Sequence, residues 1–155
     1  MRVSLCVPII MVLPKISDAL ILSPQTSPES IVQTQLLALQ KDDIEEVFKY
    51  ASPKNKELTG PSERFGAMVR RPPYHYLVNH KKAEILITSE TSFRDDRSSW
   101  SCLVRVIPSS NTSRGNILDS DKQETSKVVE YWWLLSRCAS GPYKSCYMVD
   151  SVLPV

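Results

Sequence analysis

Glycine is scarce in this chain of 155 residues: Gly60, Gly66, Gly115 and Gly141 are the only four, and none falls in a G-x-G-x-x-G or G-x-x-x-x-G-K run. The loops whose bare backbone amides cradle phosphates are therefore missing, which disfavours the common nucleotide chemistries. Histidine is scarcer still, with His75 and His80 alone. Two isolated imidazoles make no Ser-His-Asp set, and no Cys or His spacing fits zinc, so neither metal nor cofactor is expected. An excess of one charge sign is also lacking. Lys and Arg total 19 against 17 Asp and Glu, and the basic pairs Arg70-Arg71 and Lys81-Lys82 have acidic residues spread among them. Nucleic acid requires a dense basic face, so it is not an expected partner.

The N-terminal apolar run, residues 3–13, has 11 residues, against the roughly 20 that span a bilayer. That length suits the core of a signal peptide. Ser17 and Ala19 supply the small residues of a cleavage site after Ala19. Residues 1–19 are read as a candidate signal or leader peptide, which implies a secreted, endomembrane or organellar lumen location. The alternative is a cytoplasmic chain with a buried first strand. Asn111-Thr112-Ser113 is a glycosylation acceptor, and it counts only if the leader is real. Cys138 and Cys146 flank a turn centred on Gly141-Pro142. A hairpin there sets them opposite one another, either as a disulfide or as two reduced core thiols beside an unpaired Cys102.

Apolar residues at 42% and charged residues at 23% are ordinary globular values. Residues 20–26 read as a linker into a body spanning 27–155. Ser27-Pro28-Glu29 is a helix start, and Ile31, Val32, Gln35, Leu36 and Leu39 recur at helical spacing. Asp43 opens a second helix, with Glu46 completing a capping-box-like pair. Ile44, Val47, Phe48 and Ala51 form its stripe, and Ser52-Pro53 stops it. A short third helix begins near Pro61, with Phe65, Met68 and Val69 inward, and ends at Pro72-Pro73.

Strand patterns follow. Residues 74–78 are the first, and residues 83–91 the second, with Ile85 and Ile87 on one face. Residues 93–97 make a charged turn. Residues 100–107 place Trp100, Cys102, Val104 and Val106 on one face; residues 108–127 are a polar loop; residues 128–138 and 146–153 complete the sheet. Helices first and antiparallel strands after define the α+β class.

This order is similar to the nuclear transport factor 2 and ketosteroid isomerase superfamily. More closely, the chain resembles an uncharacterised family of short proteins within or near it. The likeness rests on residues 27–39, on residues 43–53, on residues 59–65, on residues 132–137, and on residues 141–152. The resemblance implies N-terminal helices packed into a curved antiparallel sheet, a cone with a pocket between the layers. It carries no established active-site motif, so it speaks to architecture rather than activity.

Chemistry has few places to reside. Asp150 lies inside the apolar run of residues 147–153, where a carboxylate needs a partner. It reads either as a pocket base or as the structural partner of a helix N-terminus or of Arg64, Arg105 or Arg137. His75 and His80 are expected on opposite faces of a strand, each more plausibly a satisfied side chain than a base. Tyr76, Trp100, Tyr131 and Trp133 are the candidate binding aromatics, with Trp132 pointing the other way on its strand. These features imply a non-catalytic domain that binds a compact apolar ligand in its pocket, or a protein, including a second copy, on its sheet face. The alternative is a small isomerase or dehydratase with Asp150 or His80 as base. It requires an open cavity bearing His75, His80 or Asp150 and a second polar group within hydrogen-bond reach.

Overall fold

Ser27 and Pro28 start the first helix as their chemistry dictates. In the computed structural model, which describes residues 20–92, 98–109 and 127–155, the Ser27 hydroxyl accepts the Ser30 N–H at 3.2 Å. Pro28 occupies the first turn of α1 (Pro28–Gln40). One face of α1 buries Ile31, Val32, Leu36 and Leu39, and with them Gln35. Each aliphatic side chain contributes about 2 kcal/mol of burial before conformational entropy is set against it.

Asp42 takes a φ of 57° and turns the chain. Asp43 then caps α2 (Ile44–Lys49), accepting the Glu46 N–H at 3.1 Å. The reciprocal half of a capping box does not form. The Asp43 N–H donates to the Ala38 carbonyl, and the Glu46 carboxylate accepts from Lys49 and the Tyr50 hydroxyl instead.

Ser52-Pro53, expected to be only a stop, is also a start. Ser52 accepts the Asn55 N–H at 3.2 Å and opens α3 (Pro53–Thr59), a helix absent from the sequence reading. Because α3 buries no side chain, it has no apolar stripe to reveal it. Gly60 closes it at φ 80°, a conformation other residues adopt only with strain. In α4 (Ser62–Val69), Phe65 and Val69 are buried, while Met68 lies nearer the surface.

Residues 74–78, expected as a strand, form a 3-10 turn at His75–Leu77. The N–H groups of Tyr74 and His75 both donate to the Arg71 carbonyl, and that of Leu77 to Tyr74. Local turns thus satisfy the backbone that a sheet ladder would otherwise use. His75 and His80 therefore do not stand on opposite faces of one strand.

The sheet contains β1 (Lys82–Thr91), β2 (Ser99–Ile107), β3 (Val129–Arg137) and β4 (Tyr147–Pro154), antiparallel and adjacent in chain order. Its inner face buries Trp100, Cys102, Val104 and Val106 from β2 and Tyr131, Trp133 and Leu135 from β3. These join α1, α2 and α4 in one core, so the α+β class holds. Trp132 faces the other way and is partly exposed, as its alternation with Tyr131 and Trp133 requires.

Two register shifts interrupt the sheet. In β1 the shift between Ile85 and Ile87 pairs Ile85 with buried Val104 but Ile87 with Leu103. The two isoleucines, expected on one face, therefore lie on opposite faces. The second shift falls between Leu134 and Leu135 on β3, opposite Asp150. The far edge of β4 is covered by residues 50–52: the Val149 N–H donates to Tyr50 and the Ser52 N–H to Val149, both at 2.8 Å.

Residues 20–26 lie against this body. Leu20 and Leu22 pack on the core, and the Tyr50 hydroxyl donates to the Leu20 carbonyl at 3.3 Å. The candidate leader at 1–19, the turn at 93–97, Asn111 and most of the loop expected at 108–127 lie outside the described residues. Among the described residues no helix is long and apolar enough to cross a membrane.

Candidate functional site

Helices on one face of the sheet leave a cavity of about 230 Å3 between α1, α2, α3, α4 and the strands β3 and β4. Leu39, Val47, Trp133 and Val149 line it from the core, and Phe65, Met68 and Val69 from α4. Asn55, Thr59, Tyr74, Asp150 and Ser151 add polar groups to the wall.

Most of that polarity is already engaged. Gln35, on the inward stripe of α1, donates its amide to the Val47 carbonyl and accepts the Trp133 indole N–H, both at 2.9 Å. Asn55 donates to the Val149 carbonyl at 3.1 Å, and Thr59 to the Asn55 carbonyl at 2.8 Å. The Tyr74 hydroxyl donates to the Val152 carbonyl at 3.1 Å. Buried polar groups need such partners, and these bonds hold the wall rigid while lowering its polarity. The result suits an apolar molecule.

Asp150 sits where β4 is offset against β3, and the Ser136 hydroxyl donates to its carboxylate at 2.6 Å. Two of the arginine partners expected for it, Arg105 and Arg137, are engaged elsewhere. Arg105 pairs with Glu130 at 3.0 Å, and Arg137 donates to the Pro24 and Ser145 carbonyls and lies over the Tyr147 ring.

Of the candidate aromatics, only Trp133 lines the cavity. Tyr131 stands one layer back, stacked on Tyr74 with centroids 6.3 Å apart and donating to the Pro73 carbonyl at 2.7 Å. Burial pushes its phenol up to about 12. Trp100 is buried in the core away from the cavity. Tyr76 is separate from the cavity too, with its hydroxyl held by Lys127 and its ring against His75, centroids 3.8 Å apart. His80 is 4% exposed and its Nδ1 lies 2.8 Å from the Leu77 carbonyl, a structural contact off the cavity wall. His75 Nδ1 is buried with no hydrogen-bond partner among the described residues, also off the wall.

Cys138 and Cys146 face each other across the hairpin mouth, the Cys138 N–H donating to the Cys146 carbonyl at 2.9 Å, and both are free thiols. Burial raises the Cys138 thiol above its ordinary range. Among the described residues no group of three His, Cys, Asp or Glu side chains is placed to hold a metal ion.

Sequence reasoning missed the contributions of Gln35, Asn55 and Tyr74. Gln35 carried a usable signal, since a glutamine on the inward stripe of a helix must find partners. Asn55 had none, because its helix shows no stripe. No curated protein matches the chain, and no solved structure does. The helices and β1, residues 23–96, match the model of a family described as Domain of unknown function (DUF4864), so this part of the chain is similar to an uncharacterised family.

Proposed function

We infer that this is a non-catalytic domain that binds a compact apolar molecule between its helices and its sheet. One observation carries the reading: a cavity of about 230 Å3 whose polar groups are largely engaged in bonds to the protein itself. A dry apolar cavity of about 150 Å3 holds a benzene ring, so this volume suits a single ring or a short branched chain. Two β-bulges, which bend strands, and helices confined to one face support a cone-shaped, nuclear transport factor 2-like body around it.

Asp150 favours a second reading, a small isomerase or dehydratase. It is the one candidate base on the cavity wall, with Ser136 in hydrogen-bond reach. That Ser136 bond already holds its carboxylate, and neither His75 nor His80 shares the wall, so the binding reading is preferred.

Melting temperatures measured with benzene, indole, naphthalene and hexanoic acid test the inference, because a binder of the native state raises the melting temperature by mass action. At least one probe should raise it, and Val152→Phe, which fills the cavity, should abolish the effect. No rise with any probe, or a rise that Val152→Phe leaves intact, contradicts the binding reading. Turnover of a compact carbonyl compound that Asp150→Asn removes establishes the second one.

A further inference from the structure

The cavity has a buried floor and an exposed rim. Leu39, Val47, Trp133 and Val149 are buried, whereas Leu58 of α3, Met68 of α4 and Leu153 of β4 line it while 70%, 37% and 47% exposed. Those three side chains mark where the cavity meets solvent. Met68 and Tyr74 also line a second concavity, together with Arg64, Ala67 and Arg71. The apolar cavity and a groove bearing two arginines therefore share a wall.

Arg64 and Arg71 stand seven residues apart, with Ala67 and Met68 between them on the same side of α4 and the turn that follows it. Gly60 seats the first. A Cβ there would lie 3.0 Å from the Arg64 Cδ and 3.5 Å from its Nη1, so the glycine that closes α3 also leaves room for the arginine. Neither guanidinium has a hydrogen bond or ion pair among the described residues. Arg70 differs, because it pairs with Asp42 at 2.9 Å and lines another groove with Asp43, Glu45 and Glu63. None of those acids lines the groove of Arg64 and Arg71, and neither does Asp150. Two uncompensated cations thus stand beside an apolar opening, and their field favours an anion there.

We propose that the cavity takes an amphiphile: a compact apolar body, one ring or a short branched chain, whose oxyanion head is held at the rim by Arg64 and Arg71. This deepens the binding reading above, on which it rests, by naming the head. A guanidinium presents paired N–H donors that match two oxygens of a carboxylate or a phosphate. An oxyanion on the floor would lose its hydration among apolar side chains without a charged partner. A body that fills the cavity instead leaves its head beside Met68 and Tyr74, where the arginine groove begins.

Isothermal titration of the full chain with phenylpropanamide, phenylpropanoate and phenethyl phosphate tests this, because the three share one ring and differ in the head. The neutral amide measures the apolar contribution alone. At least one anion should bind about fivefold tighter than the amide or better, as two partly solvated ion pairs allow. The tighter anion identifies the head as carboxylate or phosphate. Raising the sodium chloride concentration should shrink this preference, since exposed charges are screened. Arg64→Gln with Arg71→Gln, its folding checked by circular dichroism, should remove the preference while the amide binds both proteins alike.

An amide that binds the parent as tightly as both anions overturns the proposal and leaves the apolar reading standing. So does a preference for the anion that survives the double arginine variant or is indifferent to salt. Failure of all three ligands, together with no rise in melting temperature from benzene or indole, overturns both readings.

Discussion

The Trp133 indole N–H points at the Gln35 side-chain oxygen from 2.9 Å, joining the middle strand of the core to the helix that lies on it. The same glutamine donates to the Val47 carbonyl, so one buried amide ties α1, α2 and β3 together. Gln35→Ala leaves the buried Trp133 indole N–H without a partner, while the Val47 carbonyl keeps the Tyr50 N–H. It should lower the unfolding free energy by about 1–3 kcal/mol, the cost of one orphaned buried group. Urea unfolding measures this, and a loss below about 0.5 kcal/mol would show the bridge to be dispensable.

Stability should fall steeply at alkaline pH. Tyr131 is pushed up to about 12 by burial, and burial moves Tyr50 upward as well. Cys102 is raised by burial to about 12 from an ordinary 9.0. A group whose folded pKa is raised binds its proton more tightly when folded, so its contribution is complete below the unfolded value. That contribution disappears as pH climbs from about 9 for the thiol, and about 10 for the phenols, toward 12. Melting temperatures from pH 8 to 12 should show the decline, and Tyr50→Phe with Tyr131→Phe should flatten it. An equally steep decline in the double variant would assign it to other groups.

Free thiols at Cys138 and Cys146 predict that both are alkylated when the unreduced protein is denatured. Peptide mass spectrometry reads this directly. A peptide pair two hydrogens lighter, linked through those positions, would instead establish the hairpin disulfide.

The leader expected at residues 1–19 predicts a mature chain beginning at Leu20. Leu20 packs on the core and its carbonyl accepts from Tyr50, so cleavage after Ala19 would leave that contact intact. N-terminal sequencing of the protein from its own host decides the point. An intact Met1 would place the chain with cytoplasmic proteins.

Much of the fold was legible because its signals are local. Ser27-Pro28 and Asp43 cap helices in the structure as their side chains predict, and the alternation from Trp100 to Val106 reports a half-buried strand. Residues 74–78 were misread because aromatic residues suit both a strand and a turn packed beneath a sheet. The choice was made by backbone bonds to Arg71 and Tyr74, which composition does not reveal. Ile87 was placed on the wrong face because a bulge is decided by both strands together. The cavity was less legible still. Its walls come from α1, α2, α3, α4, the 3-10 turn, β3 and β4, and no stretch of sequence spaces Gln35, Asn55 and Asp150 as neighbours.

The most direct test of ligand binding is the indole N–H signals of 15N-labelled protein during titration with benzene. Binding between helices and sheet predicts a saturable shift of the Trp133 signal, lost in Val152→Phe, while the Trp132 signal stays in place. A Trp133 signal that never moves, or movement confined to Trp132 on the outer face, would contradict the account.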